Sequence, residues 1–177
     1  MTYVLLIIDA YKGIENYSLV RPAFGASDPL HVVSNIEMAL GKARADQAEI
    51  FYFLKADPKS GDFSGAEIES FFPDFVLPEE RYIKEHWSAF DGMQYSMQKE
   101  KFRLRERLSG TSQLIIGGFD FASCVIATAA SAAEDYGHSV CLPKDLMLTD
   151  HRCLDKAIQL IQENPKMCLT EKFNAGL

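Results

Sequence analysis

Two rhythms of apolar and polar positions run along this chain. Unbroken apolar runs occupy Tyr3 to Ile8, Glu49 to Lys55 (EIFYFLK), Gln113 to Ile116 and Ser139 to Leu142. Runs of this length without polar alternation fit strands of a parallel sheet covered on both faces. Between them the period changes to that of a helix. Asp28-Pro29 supplies an N-cap and a first-turn proline, and Leu30, Val33, Ile36 and Leu40 follow, which predicts a helix to about Arg44. Met93, Met97, Leu104 and Leu108 predict a second helix over Met93 to Leu108, although KFRLRER inside it also alternates. A small-residue helix follows Cys124, and Asp150 caps a last one that uses Leu154, Ala157, Ile158 and Ile161 and stops at Asn164-Pro165. Arg81 to Lys84 reads as a short strand and Met167 to Thr170 as an edge strand. Ala56 to Pro78, punctuated by Pro58, Gly61, Gly65, Pro73 and Pro78, is the longest irregular stretch.

Strands alternating with helices imply right-handed crossovers, hence a Rossmann-like three-layer α/β/α fold: a parallel sheet with helices on both faces, built as one domain over residues 1–177. Ligands of such sheets sit beyond the carboxyl ends of the strands. Asp9, Lys84 and Cys124 all fall at such ends. Gly117-Gly118 closes one buried strand, and Cys124 follows at the first turn of the next helix. A thiol there feels the partial positive charge of the helix N-terminus, which favours thiolate, and neighbouring N–H groups point where an anion would sit. Each residue also has an ordinary reading: a strand-end turn acid, a solvated lysine, a core cysteine. Together they supply complementary parts, namely a nucleophile, an ammonium and a proton-exchanging carboxylate.

Composition narrows the classes. The 177 residues suffice for one core without disulfides or metals. With 47% hydrophobic and 24% charged residues the chain reads as a soluble globular protein, and a net charge of −7 argues against a general nucleic-acid binder. The four cysteines include no C-x-x-C and the four histidines no H-E-x-x-H, so neither a zinc site nor a disulfide framework is expected. YVLLII is too short to span a membrane and lacks a basic leader, which predicts a cytoplasmic protein with no membrane partner.

The stretches YVLLIIDAYKG, YIKEHWSAF, LIIGGFDFASCVIATAASAAEDYGHSV and CLPKDLM together resemble the isochorismatase-like cysteine hydrolases, relatives of nicotinamidases and N-carbamoylsarcosine amidase. The resemblance implies six parallel strands with helices on both faces and an Asp-Lys-Cys triad. Asp9 matches the family's acid, Lys84 its lysine and Cys124 its nucleophile. A non-proline cis peptide would join Phe119 and Asp120, and the N–H groups of Ser123 and Cys124 would form an oxyanion hole. The implied reaction is cleavage of a C–N bond in a small amide, carbamoyl or ureido compound through a thioester, without a cofactor. A homodimer or homotetramer is implied as well. Isochorismate-type vinyl-ether hydrolysis and a catalytically idle binding module are the alternatives.

Several positions depart from the family pattern. Tyr11 replaces a common glutamine, and Asp57-Pro58-Lys59 stands where zinc-binding members carry Asp-x-His, so no metal is expected and Lys59 is either a solvated loop lysine or a fixed positive charge at the site. The segment over residues 91–103 reads as an insertion of about two helical turns, able to cover the pocket or extend an oligomer contact. Tyr11, His86, Trp87, Phe119 and Phe121 are candidates for lining the pocket, with core packing as the alternative for each. Cys141 and Cys168 are expected to be buried.

Overall fold

The computed structural model describes residues 3–25, 28–55, 72, 74–96, 100–111, 113–150 and 153–173. Its strands are β1 (Val4–Ile8), β2 (Arg21–Pro22), β3 (Glu49–Lys55), β4 (Arg81–Lys84), β5 (Gln94–Ser96), β6 (Lys101–Phe102), β7 (Gln113–Gly118), β8 (Ser139–Pro143), β9 (Leu148–Thr149) and β10 (Met167–Thr170). Its α-helices are α1 (Pro29–Ala45), the single turn α2 (Leu104–Arg107), α3 (Ile126–Glu134) and α4 (Leu154–Glu163).

The large sheet has the order β10-β8-β7-β1-β3-β4-β5-β6. From β10 to β4 every pairing is parallel, and β5 and β6 add an antiparallel edge. The order reverses where β1 lies between β7 and β3, so a crevice opens at the carboxyl ends of β1 and β7. All five residues of β1 are buried, as expected of the central strand. Alternate side chains then divide between two cores. Leu5 and Ile7 pack with Val33, Ile36 and Leu40 of α1, whereas Leu6 and Ile8 pack with Ala129 of α3 and Ala157 and Ile161 of α4. That division makes the three layers. Helix α1 begins as its sequence predicts: the Asp28 side chain accepts from Leu30 N at 2.9 Å, with Pro29 at the first helical position.

One element differs from the expectation. Met93 to Leu108 is not a helix: β5 and β6 form a hairpin paired to β4 through Tyr82–Ser96, Ile83–Tyr95 and Lys84–Gln94, and only Leu104–Arg107 turns helically. The buried amide of Gln94 decides this, because its Nε2 donates to Asp91 O at 3.1 Å and its Oε1 accepts from Leu104 N at 2.7 Å. Those bonds satisfy a strand-to-helix junction that a continuous helix would not contain. The presumed two-turn insertion therefore lengthens the sheet, and none of its described residues lines the pocket below. Asp150 likewise does not cap α4; Cys153, at φ 57°, stands directly before Leu154.

Candidate active site

Position 9 lies one residue past β1, where the chain leaves the sheet in a left-handed conformation, φ 49°. Its N–H donates to Phe53 O at 2.8 Å, and the hydroxyl of buried Tyr52 donates to Ala10 O, so both sides of the turn are tied to β3. The Asp9 carboxylate is consequently aimed rather than free. Its Oδ1 accepts from Lys55 N at 2.7 Å and its Oδ2 from Lys84 Nζ at 2.7 Å.

Lys84 ends β4 and is fully buried. An ammonium has three N–H groups, and here each has an acceptor: Asp9 Oδ2, His86 O at 3.0 Å and Trp87 O at 3.1 Å. Such complete pairing is the condition under which a buried charge is tolerated. The loop that offers those carbonyls is pinned in turn. Ala89 N donates to Thr128 Oγ1 at 3.1 Å, Thr128 Oγ1 donates to Cys124 O at 2.8 Å, and Ser88 Oγ reaches Ser131 Oγ at 3.2 Å. Thr128 thus links the lysine loop to the cysteine turn.

Strand β7 approaches β1 closely at its end. A Cβ on Gly118, whose φ is 123°, would fall 2.0 Å from Ile8 O, so only glycine fits. Phe119 N then donates to Ile8 O at 2.7 Å, and the Phe119–Asp120 peptide is cis, at the bond where the family resemblance puts it. Asp120 opens the π-helical turn Phe121–Val125 that carries Cys124. Its carboxylate accepts from Ala122 N at 3.2 Å, Ser123 Oγ at 3.2 Å and Thr149 Oγ1 at 2.8 Å. Asp120 is therefore saturated as the brace of the turn.

Cys124 is 5% exposed, and its thiol lies within the electrostatic reach of both Asp9 and Lys84. Burial, reinforced by the negative charge of Asp9 and opposed by that of Lys84, pushes the thiol from 9.0 up to about 12. Burial and the carboxylate thus oppose the resting thiolate that the helix N-terminus was expected to favour. The expected pair of oxyanion donors also changes, because Ser123 N already donates to Asp120 O at 3.1 Å. The Cys124 N–H is left as the principal candidate.

Asp9 and Cys124 open on a cavity of about 540 Å³. Of the five expected lining residues, Tyr11, Trp87 and Phe119 lie in its wall. His86 and Phe121 do not. His86 gives its carbonyl to Lys84 and lays its ring against Gly92, while Phe121 is fully buried and packs edge-on against Phe24 at 5.1 Å. Leu54, Lys55, Asp150 and Cys153 line the wall without having been anticipated. Lys55 was visible as the end of an apolar run; Asp150 and Cys153 come from a loop that carries no such signal. Among the described residues no group of histidines, cysteines and carboxylates could hold a metal ion, and Asp57 and Lys59 lie outside them. No described helix is long and apolar enough to cross a membrane.

No protein-family model matches the sequence, and no curated relative matches it. Solved structures do. N-carbamoylsarcosine amidase from Thermoplasma acidophilum superposes with a TM-score of 0.71 at 15% identity, over 99% of this chain and 100% of that one. The chain has the isochorismatase-like fold. Zinc-complexed pyrazinamidase of Pyrococcus horikoshii shares that fold (TM-score 0.68, 17% identity, 98% of this chain and 100% of the other). So does an isochorismatase from Pseudomonas putida (TM-score 0.66, 22% identity, 95% and 87%). Since the isochorismatase-like fold hosts proteins titled with different reactions, the reaction here must be argued from the site.

Proposed function

We propose that the protein is a cysteine hydrolase that cleaves a C–N bond of a small amide, carbamoyl or ureido compound, with Asp9, Lys84 and Cys124 as its triad. One observation carries this reading: a buried carboxylate that holds a fully paired ammonium opens on the same cavity as a buried thiol. Asp9 is placed to take the thiol proton as Sγ attacks the carbonyl carbon, so thiolate forms only when it is used. The Cys124 N–H stabilises the tetrahedral oxyanion. As the C–N bond breaks, Asp9 returns the proton to the leaving amine; it then takes a proton from water, whose hydroxide cleaves the thioester and releases the acid. Lys84 has no N–H left for substrate, so its role is to hold Asp9 as an oriented carboxylate.

The solved amidases with this fold support the reaction class. Vinyl-ether hydrolysis needs the acid more than the thiol, whereas here a buried thiol and that acid open on the same cavity. The test is an ammonia-release screen over amides, carbamoyl and ureido compounds, run with the wild type and Cys124→Ala side by side. Release by the wild type alone supports the assignment; equal release by both refutes it.

A further inference from the structure

Among the described residues the cavity wall contains one cationic side chain, and the proposed chemistry does not use it. Lys55 Nζ stands 4.0 Å from the centroid of the Trp87 ring, a cation–aromatic contact between two residues of the cavity wall. Both partners are tethered to the triad by their main chains: Lys55 N donates to Asp9 Oδ1 at 2.7 Å, and Trp87 O accepts from Lys84 Nζ at 3.1 Å. The pair is therefore held in a fixed relation to the reacting atoms. Trp87 is nonetheless 58% exposed, so packing in the core does not account for its position.

The described carboxylates of the cavity wall are otherwise engaged. Asp9 is bonded to Lys84 and to the Lys55 main chain, and Asp120 accepts from three donors. Asp150, the remaining carboxylate of the wall, already has an interaction within the protein. Among the described residues no ion pair joins the Lys55 ammonium to a carboxylate. A ring face orients an ammonium without using up its N–H donors, which stay available to the cavity.

We propose that Lys55, positioned by the Trp87 ring, is the specificity residue that binds a carboxylate on the substrate, remote from the scissile C–N bond. The substrate class is then an anionic amide or carbamoyl acid rather than a neutral amide. This rests on the hydrolase reading above for the identity of the reacting end, so its test is a binding measurement that needs no turnover.

Trp87 is the only tryptophan in the chain, and its emission reports directly on the ammonium above it. Cys124→Ala protein is titrated with succinamate and with succinamide, which differ only in a carboxylate against a neutral amide. Succinamate binds at least about tenfold more tightly, as a charge-assisted hydrogen bond provides. Lys55→Met, which keeps an unbranched stem, abolishes the preference, and Lys55→Arg retains it. Equal affinity for the two probes, no binding of either at tens of millimolar, or a preference that survives Lys55→Met overturns the proposal. An ammonia-release screen that fails while the succinamate preference holds would instead remove the hydrolase reading and leave the anion site standing.

Discussion

Two cavities lined by described residues differ in kind, and the larger of the pair is not the one to which the chemistry is assigned. A cleft of about 1010 Å³ lies between α1 and the chain after β8 and β10, walled by His31, Asn35, Lys42, Lys144, Asp145 and Glu171 among others. Most of its charges are at the surface: Lys144 pairs with Glu171 at 2.5 Å and the Glu171 side chain is 84% exposed, whereas Asp145 is partly buried and accepts from Phe173 N at 2.9 Å. The cavity of about 540 Å³ at the β1/β7 crevice has half the room, yet the Cys124 thiol and the Asp9 carboxylate, itself bonded to the fully buried Lys84 ammonium, both line it. What separates the two is desolvation. Charges that must find partners inside the protein are held in one geometry, whereas charges at a wet surface are not.

Mutations placed in parallel in the two cavities would break this contrast if it is wrong. Cys124→Ala should lower turnover of any substrate found by at least on the order of a thousandfold, while Lys144→Ala changes it by less than about twofold. Steady-state rates on the same compound decide it, and comparable losses would mean that the larger cleft takes part.

A smaller but related difference is expected in stability. Lys84→Met leaves Asp9 buried without its ion-pair partner and should cost ~3–5 kcal/mol, visible as a thermal midpoint lower by roughly 10 °C. Lys144→Met breaks an exposed pair and should cost under ~1 kcal/mol. Its effect on turnover gives a second reading: Lys84→Met should reduce kcat far more than it changes KM, since Lys84 orients the base without touching substrate. Similar midpoints for the two variants would contradict the account.

The smallest expected effect is on pH dependence. Burial raises Cys124 to about 12 and Cys141 to about 11, so the folded chain keeps these protons at pH values where unfolded thiols, near ~8.5, have lost them. A raised folded value contributes stability that is complete below the unfolded pKa and disappears as pH rises through the folded one. The thermal midpoint should therefore decline from about pH 9 towards pH 12, and Cys124→Ala should flatten the decline. For the same reason, iodoacetamide at pH 7 should label exposed Cys153 and Cys168 before Cys124. A level midpoint, or Cys124 labelled first, would show that the resting residue is a thiolate.

Strand ends were legible in the sequence where burial on both faces erased polar alternation. Asp9 and the Gly117-Gly118 turn before Cys124 could be placed at one sheet edge for that reason, and Lys84 followed as the end of a short strand. Positions set by a single long-range bond were not legible: the Gln94 amide reaching Leu104 N turns a helical spacing into a hairpin, and no local pattern announces it. Cys168 was expected in the core, but β10 is an edge strand and turns it outward. The Lys55–Trp87 contact joins the tips of β3 and the loop after β4, which become neighbours only when the register is known. Lys59, the other lysine considered for the site, falls outside the described residues.

The central claim is that Asp9, Lys84 and Cys124 work together through a covalent bond to sulfur. Acid-quenched intact-mass spectrometry during turnover of a compound from the ammonia-release screen tests it most directly. The account predicts an acyl or carbamoyl adduct that maps to Cys124, is released by hydroxylamine, and is absent together with turnover in Cys124→Ala. An adduct on another residue, or turnover that continues in Cys124→Ala, would contradict it.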